Sequence, residues 1–274
     1  MMSVEWSFLT TNYNKGDSID TAITSLVQSL PDSSELIVVD GGSTDESLEE
    51  LIHLSEKHEP VEFVVEESNL GEGREIAVQE SSGEILVQHL DTDRQYEDLT
   101  EYLELYQSLR EEHENLFFMT LDSIYISSRD VHEKIGGWPP LGRVEERVFV
   151  DRALRTDGVT LRLYPENKSE EIPTRDVSTL PKRMQKWSRS TRDNLRCGFS
   201  YGQIARFHHH EFSPPKALVA DAIALKGLWD SRGLRNYGRK RHSWREFPSW
   251  EYGIDKNSDI VLDGPLRDEF GEIR

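Results

Sequence analysis

Two periodicities alternate along the first half of the chain. Short apolar runs rich in β-branched and aromatic residues each lead into a polar turn, and then into apolar residues at helical spacing. Trp6-Ser7-Phe8-Leu9-Thr10 predicts a first strand, closed by the polar turn Thr11-Asn12-Tyr13-Asn14. Asp17 or Ser18 stands where it can cap the helix that carries Ile19, Ala22, Ile23, Leu26, Val27 and Leu30. Leu36-Ile37-Val38-Val39 predicts a second strand, followed by Asp40-Gly41-Gly42-Ser43-Thr44-Asp45 and a helix over Glu46–Lys57. Val61–Val65 predicts a third strand; beyond it Arg74 begins or precedes a helix bearing Ile76, Ala77 and Val78. Ile85–Leu90 predicts a buried fourth strand that runs directly into Asp91-Thr92-Asp93.

Repeats of strand, helix and strand imply an α/β fold: a Rossmann-like, mainly parallel sheet with helices on both faces. A helix over Glu97–His113, strands near 116–120 and 124–126, and a short helix ending at Ile135 continue it. The turn Gly136-Gly137-Trp138-Pro139-Pro140-Leu141 is expected to expose its indole. Val144-Glu145-Glu146-Arg147 opens another helix, and 159–163 reads as a last strand. The pattern then changes. An acidic connector over Pro165–Asp176, expected to be mobile, leads to a mostly helical extension. Met184, Trp187, Ser188, Thr191 and Leu195 share one helical face there, and Pro214-Pro215 precedes an apolar helix over Ala217–Leu228. The expected division is a domain over 1–165 and an extension over 166–274.

Charge sharpens that division. The formal net charge of the 274 residues is −19. Pro181 to Arg245 holds 15 Lys and Arg against 4 Asp and Glu, a balance of +11, and the remainder stands at −30. The basic segment is interleaved with Trp187, Phe199, Tyr201, Phe207, Trp229, Tyr237 and Trp244. Basic helices with Trp rest on anionic membranes or bind anionic partners, and the alternative is packing against the acidic remainder. The acidity elsewhere fits a salt-adapted, halophilic protein and argues against nucleic acid as a partner. A single cysteine, Cys197, the absence of a long apolar run, and a start lacking a basic-then-apolar leader predict a cytoplasmic chain.

The polar loops follow strands, and ligands of open α/β sheets bind at strand carboxyl ends. In an extended chain Asp91 and Asp93 point the same way. Two such carboxylates can hold a hard divalent cation, and through it a diphosphate; a polar turn is the plainer reading. Asp40 can accept bonds from a nucleobase or ribose, or close a glycine-rich turn. Arg74 near a helix start opposes the helix dipole, which points to an anion or to a surface ion pair. Trp138 can stack on a sugar face or close the core. Glu145 and Glu146 in a first helical turn serve the dipole or act as a general base. One of His208-His209-His210 can join a cation site; otherwise they are polar loop residues.

The order of these motifs resembles glycosyltransferase family 2, the inverting enzymes of the GT-A fold. The resemblance runs from Trp6 to about Arg155. It rests on Thr10-Thr11-Asn12-Tyr13-Asn14, Val39-Asp40-Gly41-Gly42-Ser43-Thr44-Asp45, Asn69-Leu70-Gly71 with Ala77, Gly83-Glu84-Ile85 through Asp93, Gly136-Gly137-Trp138, and Glu145-Glu146 with Arg152. It implies a nucleoside-diphosphate-sugar donor of the UDP or GDP type and Mg²⁺ or Mn²⁺ as cofactor. Asp40 would recognise the base with Thr10, Asn12 and Tyr13 nearby. Asp91 would hold ribose or metal, Asp93 the metal, and Arg74 the departing diphosphate. Glu146, or Glu145, would deprotonate an acceptor that attacks the anomeric carbon directly. Two departures stand out: Gly41 replaces the second Asp of the family's Asp-Asp-Gly, and Glu145-Glu146 replaces its Glu-Asp. The basic segment suggests a polyprenyl-phosphate-linked acceptor. A nucleotidyltransferase, and a catalytically silent module binding through the basic segment, are the alternatives.

Overall fold

The computed structural model describes residues 4–111, 113, 115–120, 124–156, 160–162, 168–173, 179–238 and 240. The tail beyond Ser249, and Trp244, lie outside the described residues. Two compact units interleave along the sequence. The first holds the chain through Gly137 and the described residues of 152–175; the second holds Trp138–Asp151 and the described residues from 179 on. The single boundary expected near residue 165 differs from this interleaving.

The first unit is built on a seven-stranded sheet of order β3-β2-β1-β4-β7-β6-β8. Its strands are β1 (Trp6–Asn12), β2 (Ser34–Asp40), β3 (Val61–Val65), β4 (Ile85–Asp91), β6 (Phe117–Met119), β7 (Tyr125–Ser128) and β8 (Thr160–Arg162). The first four run parallel; β7 is antiparallel to β4 and β6, and β8 is parallel to β6. Three helices cover one face: α1 (Gly16–Val27), α2 (Ser47–Lys57) and α4 (Thr100–Arg110). Ile19, Ile23, Leu26, Leu51, Leu54, Tyr102 and Tyr106 pack there on Phe8, Leu36, Val38, Ile85 and Val87. Each such buried side chain contributes about 1.5–3 kcal/mol. Helix α3 (Leu70–Glu80) packs on β1, β2 and β4. A Cβ on its Gly73 would meet Thr11 and Val39, which alternate with the core-facing Thr10 and Val38, so α3 covers the opposite face. Helix α5 (Arg129–Ile135) follows β7.

Several local expectations need correcting. The 97–113 helix is shorter, because β5 (Arg94–Tyr96) precedes it and pairs antiparallel with β9 (Ser169–Glu171). The described part of the acidic connector therefore includes a strand. Neither Asp17 nor Ser18 caps α1, whose first residue is Gly16. Asp45 Oδ2 accepts from Gly16 N at 3.0 Å and Ser47 Oγ from Lys15 N at 3.0 Å, so the cap comes from the loop after β2 and the first residue of α2. Strand β4 is bulged: Phe8 opposes Val87 but Thr10 opposes Leu90, and His89 takes φ 65°. The extra residue shifts the alternation, so Leu90 rejoins the face of Val87.

The second unit holds α7 (Leu180–Arg196), α8 (Tyr201–Glu211) and α9 (Pro214–Asp230), and most of α6 (Glu145–Ala153). A Cβ at Gly227 of α9 would lie 2.5 Å from Ser188 O of α7, so the two helices touch through their backbones. Buried Asp193 holds Arg192 at 2.8 Å and accepts from Gly142 N at 3.1 Å, fastening the loop before α6 to α7. Among the described residues no helix is long and apolar enough to cross a membrane.

Candidate active site at the carboxyl ends of the strands

The parallel register sets Asn12 beside Asp40 and Thr11 beside Asp91, so three strand ends converge. Asn12 brackets them. Its amide donates to Asp40 Oδ2 at 2.7 Å, and its carbonyl accepts from Thr92 Oγ1 at 2.9 Å. Asp40 also takes Gly42 N at 3.0 Å, Ser43 N at 2.7 Å and Ser43 Oγ at 2.6 Å. Both of its oxygens thus bind the chain's own donors, and the residue is 1% exposed. Gly42 sits at φ 87°, a backbone shape that a side chain disfavours. Thr10 is equally buried and donates to Leu90 O at 2.9 Å. Tyr13, by contrast, is 60% exposed, beside Gly41.

Asp91 and Asp93 each meet a cation. Arg74, buried in the second turn of α3, donates to Asp91 Oδ1 at 3.3 Å. It does not open that helix: Leu70 does, capped by the reciprocal bonds of Asn69 and Glu72. The dipole conflict inferred from sequence is therefore absent, and the cation's partner is the chain's own Asp91, with Arg74 buried and not at the surface. Lys15 Nζ pairs with Asp93 Oδ2. About a third of each Asp side chain remains exposed. Asp91 N donates to the Tyr96 hydroxyl at 2.7 Å. Burial and the adjacent Asp91 carboxylate push the Tyr96 phenol well above its ordinary range, so it stays neutral and fixes the Asp91 backbone. Asp45 behaves oppositely. Burial raises its carboxyl, but bonds from the Ser47 side chain and from Gly16 N and Ser47 N outweigh it and hold it below the ordinary value.

The remaining expected site residues belong to the second unit. Trp138 is buried, with its ring stacked on Phe149 at 4.0 Å and 9°. The exposed indole expected of that turn is thus a core residue, because an aromatic partner four residues into α6 covers its face. Glu145 is buried and Glu146 half-buried in the first turn of α6. Val144 just before them has φ 58°, a strained value for a β-branched residue. His208-His209-His210 lie on α8, not in a loop. His208 Nδ1 and His209 Nε2 each meet one oxygen of Asp221 at 2.8 Å, and His210 meets Glu211 at 2.7 Å.

Sequence reasoning gives Lys15, Thr92 and Tyr96 no role, and Ser43 only a place in the glycine-rich motif after the second strand. Lys15 was legible as a basic residue after the first strand. The others act through contacts 3 to 80 positions away in sequence, which residue pattern does not display.

Comparison with known proteins follows this geometry. No curated protein matches the chain. Among solved structures, residues 1–349 of TarS from S. aureus align with TM-score 0.52 and 15% identity, over 83% of this chain and 72% of that one. A longer TarS structure aligns with TM-score 0.51 and 15% identity, over 84% of this chain but 44% of that one. The mannosyltransferase PcManGT from Pyrobaculum calidifontis aligns with TM-score 0.52 and 16% identity, over 84% and 75%. These similarities show a shared GT-A fold. The family model of glycosyl transferase family 2 matches residues 7–172, and the chain belongs to that family of glycosyltransferases.

Proposed function

We propose that the chain moves a sugar from a UDP- or GDP-type nucleotide sugar to an acceptor, inverting the anomeric carbon. The observation that carries this reading is the pair of part-exposed carboxylates, Asp91 and Asp93, each set against a cation. TarS has been solved with UDP-GlcNAc, and PcManGT with GDP-Man and Mn²⁺, which supports donors and a cofactor of this class.

The hard oxygen donors of Asp91 and Asp93 fit Mg²⁺ or Mn²⁺. Asp93 would hold the ion, with Asp91 shared between it and ribose. Such a cation supplies charge neutralisation for the departing diphosphate. Lys15 adds a mobile ammonium that can pass from Asp93 to a phosphate oxygen. Arg74 orients Asp91 from below. Tyr13 offers its ring to the base. Thr10, Asn12 and Asp40 shape the loop that receives the nucleotide, which refines the base-reading role expected of Asp40. Glu146 takes the proton of an acceptor hydroxyl, with Glu145 as its competitor for that role; strained Val144 beside them supports a functional loop. For a phosphate acceptor Glu146 only orients. The basic segment supports a polyprenyl-phosphate-linked acceptor and a cytoplasmic chain peripheral to the membrane, and the −19 charge supports salt adaptation.

The test is turnover of UDP- and GDP-sugars with Mn²⁺, with the product's anomeric configuration read by NMR. One donor is expected to react with inversion. Glu146→Gln is expected to lower the rate by about 10²–10⁴ with donor binding retained. Loss in Glu145→Gln alone would move the base to Glu145. No reaction with any donor and any lipid-phosphate or sugar acceptor would contradict the proposal.

A further inference from the structure

Helix α9 is apolar on two opposite sides. One side, with Ala217, Ala220, Ala224 and Gly227, is buried. The other carries Leu218, Leu225 and Trp229 at helical spacing, each more than half exposed. A helix that is apolar all round is ordinarily enclosed. Here half of that surface has no cover among the described residues. The Arg232 guanidinium lies 4.5 Å over the Trp229 ring, setting a cation at the edge of the apolar strip.

Helix α7 carries a second strip. Leu180, Met184 and Trp187 lie along one side of its first half and are exposed. Lys182, Arg183, Lys186 and Arg189 surround them, and no acidic residue lies in that half. Strong segregation of apolar and basic residues, with low overall hydrophobicity, marks helices that lie in a lipid interface.

Charge selects the occupant. The segment from Pro181 to Arg245 carries +11. A second copy of the same face would bring like charges together. Nucleic acid would satisfy the cations but leave Leu218, Leu225 and Trp229 in water. We propose that the exposed faces of α7 and α9 dock on an anionic lipid surface, with the apolar side chains entering the headgroup boundary and the Lys and Arg meeting lipid phosphates. The −30 remainder is repelled by the same surface; of the two helices α7 supplies the attraction, whereas α9, with Lys216 and Lys226 against Asp221 and Asp230, supplies only its apolar strip. The proposal deepens the membrane-peripheral part of the reading above and rests on the same segment, but its test reads vesicle binding and not sugar transfer, so the two can fail separately.

The test is co-sedimentation of the full chain with phosphatidylcholine vesicles, with and without phosphatidylglycerol, at low and high salt. Binding is expected only with phosphatidylglycerol, weakening as salt rises, with a blue shift of tryptophan emission. Leu225→Glu with Trp229→Glu is expected to lower partitioning at least about tenfold. Lys182→Glu with Lys186→Glu should do the same through charge alone, and both variants should bind nucleotide normally. Equal binding to both vesicle types, no binding by the folded chain, or binding untouched by either variant would overturn the proposal. So would a dimer in solution dispersed by Leu225→Glu, which would assign the face to a second copy. Binding seen only after removal of residues 241–274 would assign it to that tail.

Discussion

The two ends of the parallel strands hold carboxylates in opposite circumstances. At the amino ends, Glu35 is buried and takes Ser7 Oγ at 2.6 Å, Ser82 N at 2.5 Å and Gly83 N at 3.1 Å. All of these donors are neutral and belong to the fold. At the carboxyl ends, Asp91 and Asp93 are a third or more exposed and rest against Arg74 and Lys15. A carboxylate wrapped by backbone N–H groups is fixed, because releasing them exposes several buried donors at once. A carboxylate held by a part-exposed ammonium can exchange its partner, because such pairs are worth little. Asp40 teaches the finer lesson. It lies at the carboxyl ends of the strands, yet its bonding is of the Glu35 kind. Position at a strand's carboxyl end does not by itself make a ligand.

The contrast can be broken most severely at Gly83. A Cβ there would lie 2.5 Å from Ser7 Oγ and 2.9 Å from Ser7 N. Gly83→Val is expected to cost about 3 kcal/mol in urea denaturation, with nucleotide affinity unchanged in the folded fraction. Glu35→Ala should cost about 2 kcal/mol by the same measurement, since Ser7 Oγ and two backbone N–H groups lose their acceptor. Lys15→Met acts at the other edge. It is expected to change stability by less than about 1 kcal/mol. Calorimetry should show it raising the affinity of the nucleotide-free chain for Mn²⁺ about fivefold, because the competing ammonium is gone.

The smallest effect concerns Asp45. Its carboxyl is depressed below 3.8, so its stabilising bonds are fully present above that value and are lost as pH falls through the lower folded value. Asp45→Asn should therefore be less stable than the native chain at neutral pH. In denaturation curves the difference should vanish in acid.

Much of the fold was legible in the sequence because burial writes itself as period. The alternation in Phe8, Leu36, Val38 and Val87, and the helical spacing of Ile19, Ile23 and Leu26, announce one face each. What stayed hidden was non-local. The α1 cap comes from Asp45 and Ser47, the β4 bulge leaves no signature in Gln88-His89, and β5 finds its partner more than 70 positions away. At the candidate site, Asp91 and Asp93 were legible as the end of a strand, whereas the place of Arg74 in the second turn of α3 was not. The saturation of Asp40 and the stacking of Trp138 on Phe149 were not, because both depend on which side chain arrives from elsewhere.

The most direct measurement is calorimetric binding of UDP and GDP with and without Mn²⁺, comparing the native chain with Asp93→Ala and Glu35→Gln. The account predicts metal-dependent binding of one nucleotide, lost in Asp93→Ala and kept in whatever fraction of Glu35→Gln remains folded. Full metal-dependent binding by Asp93→Ala would contradict it and place the cation away from the carboxyl ends of the strands.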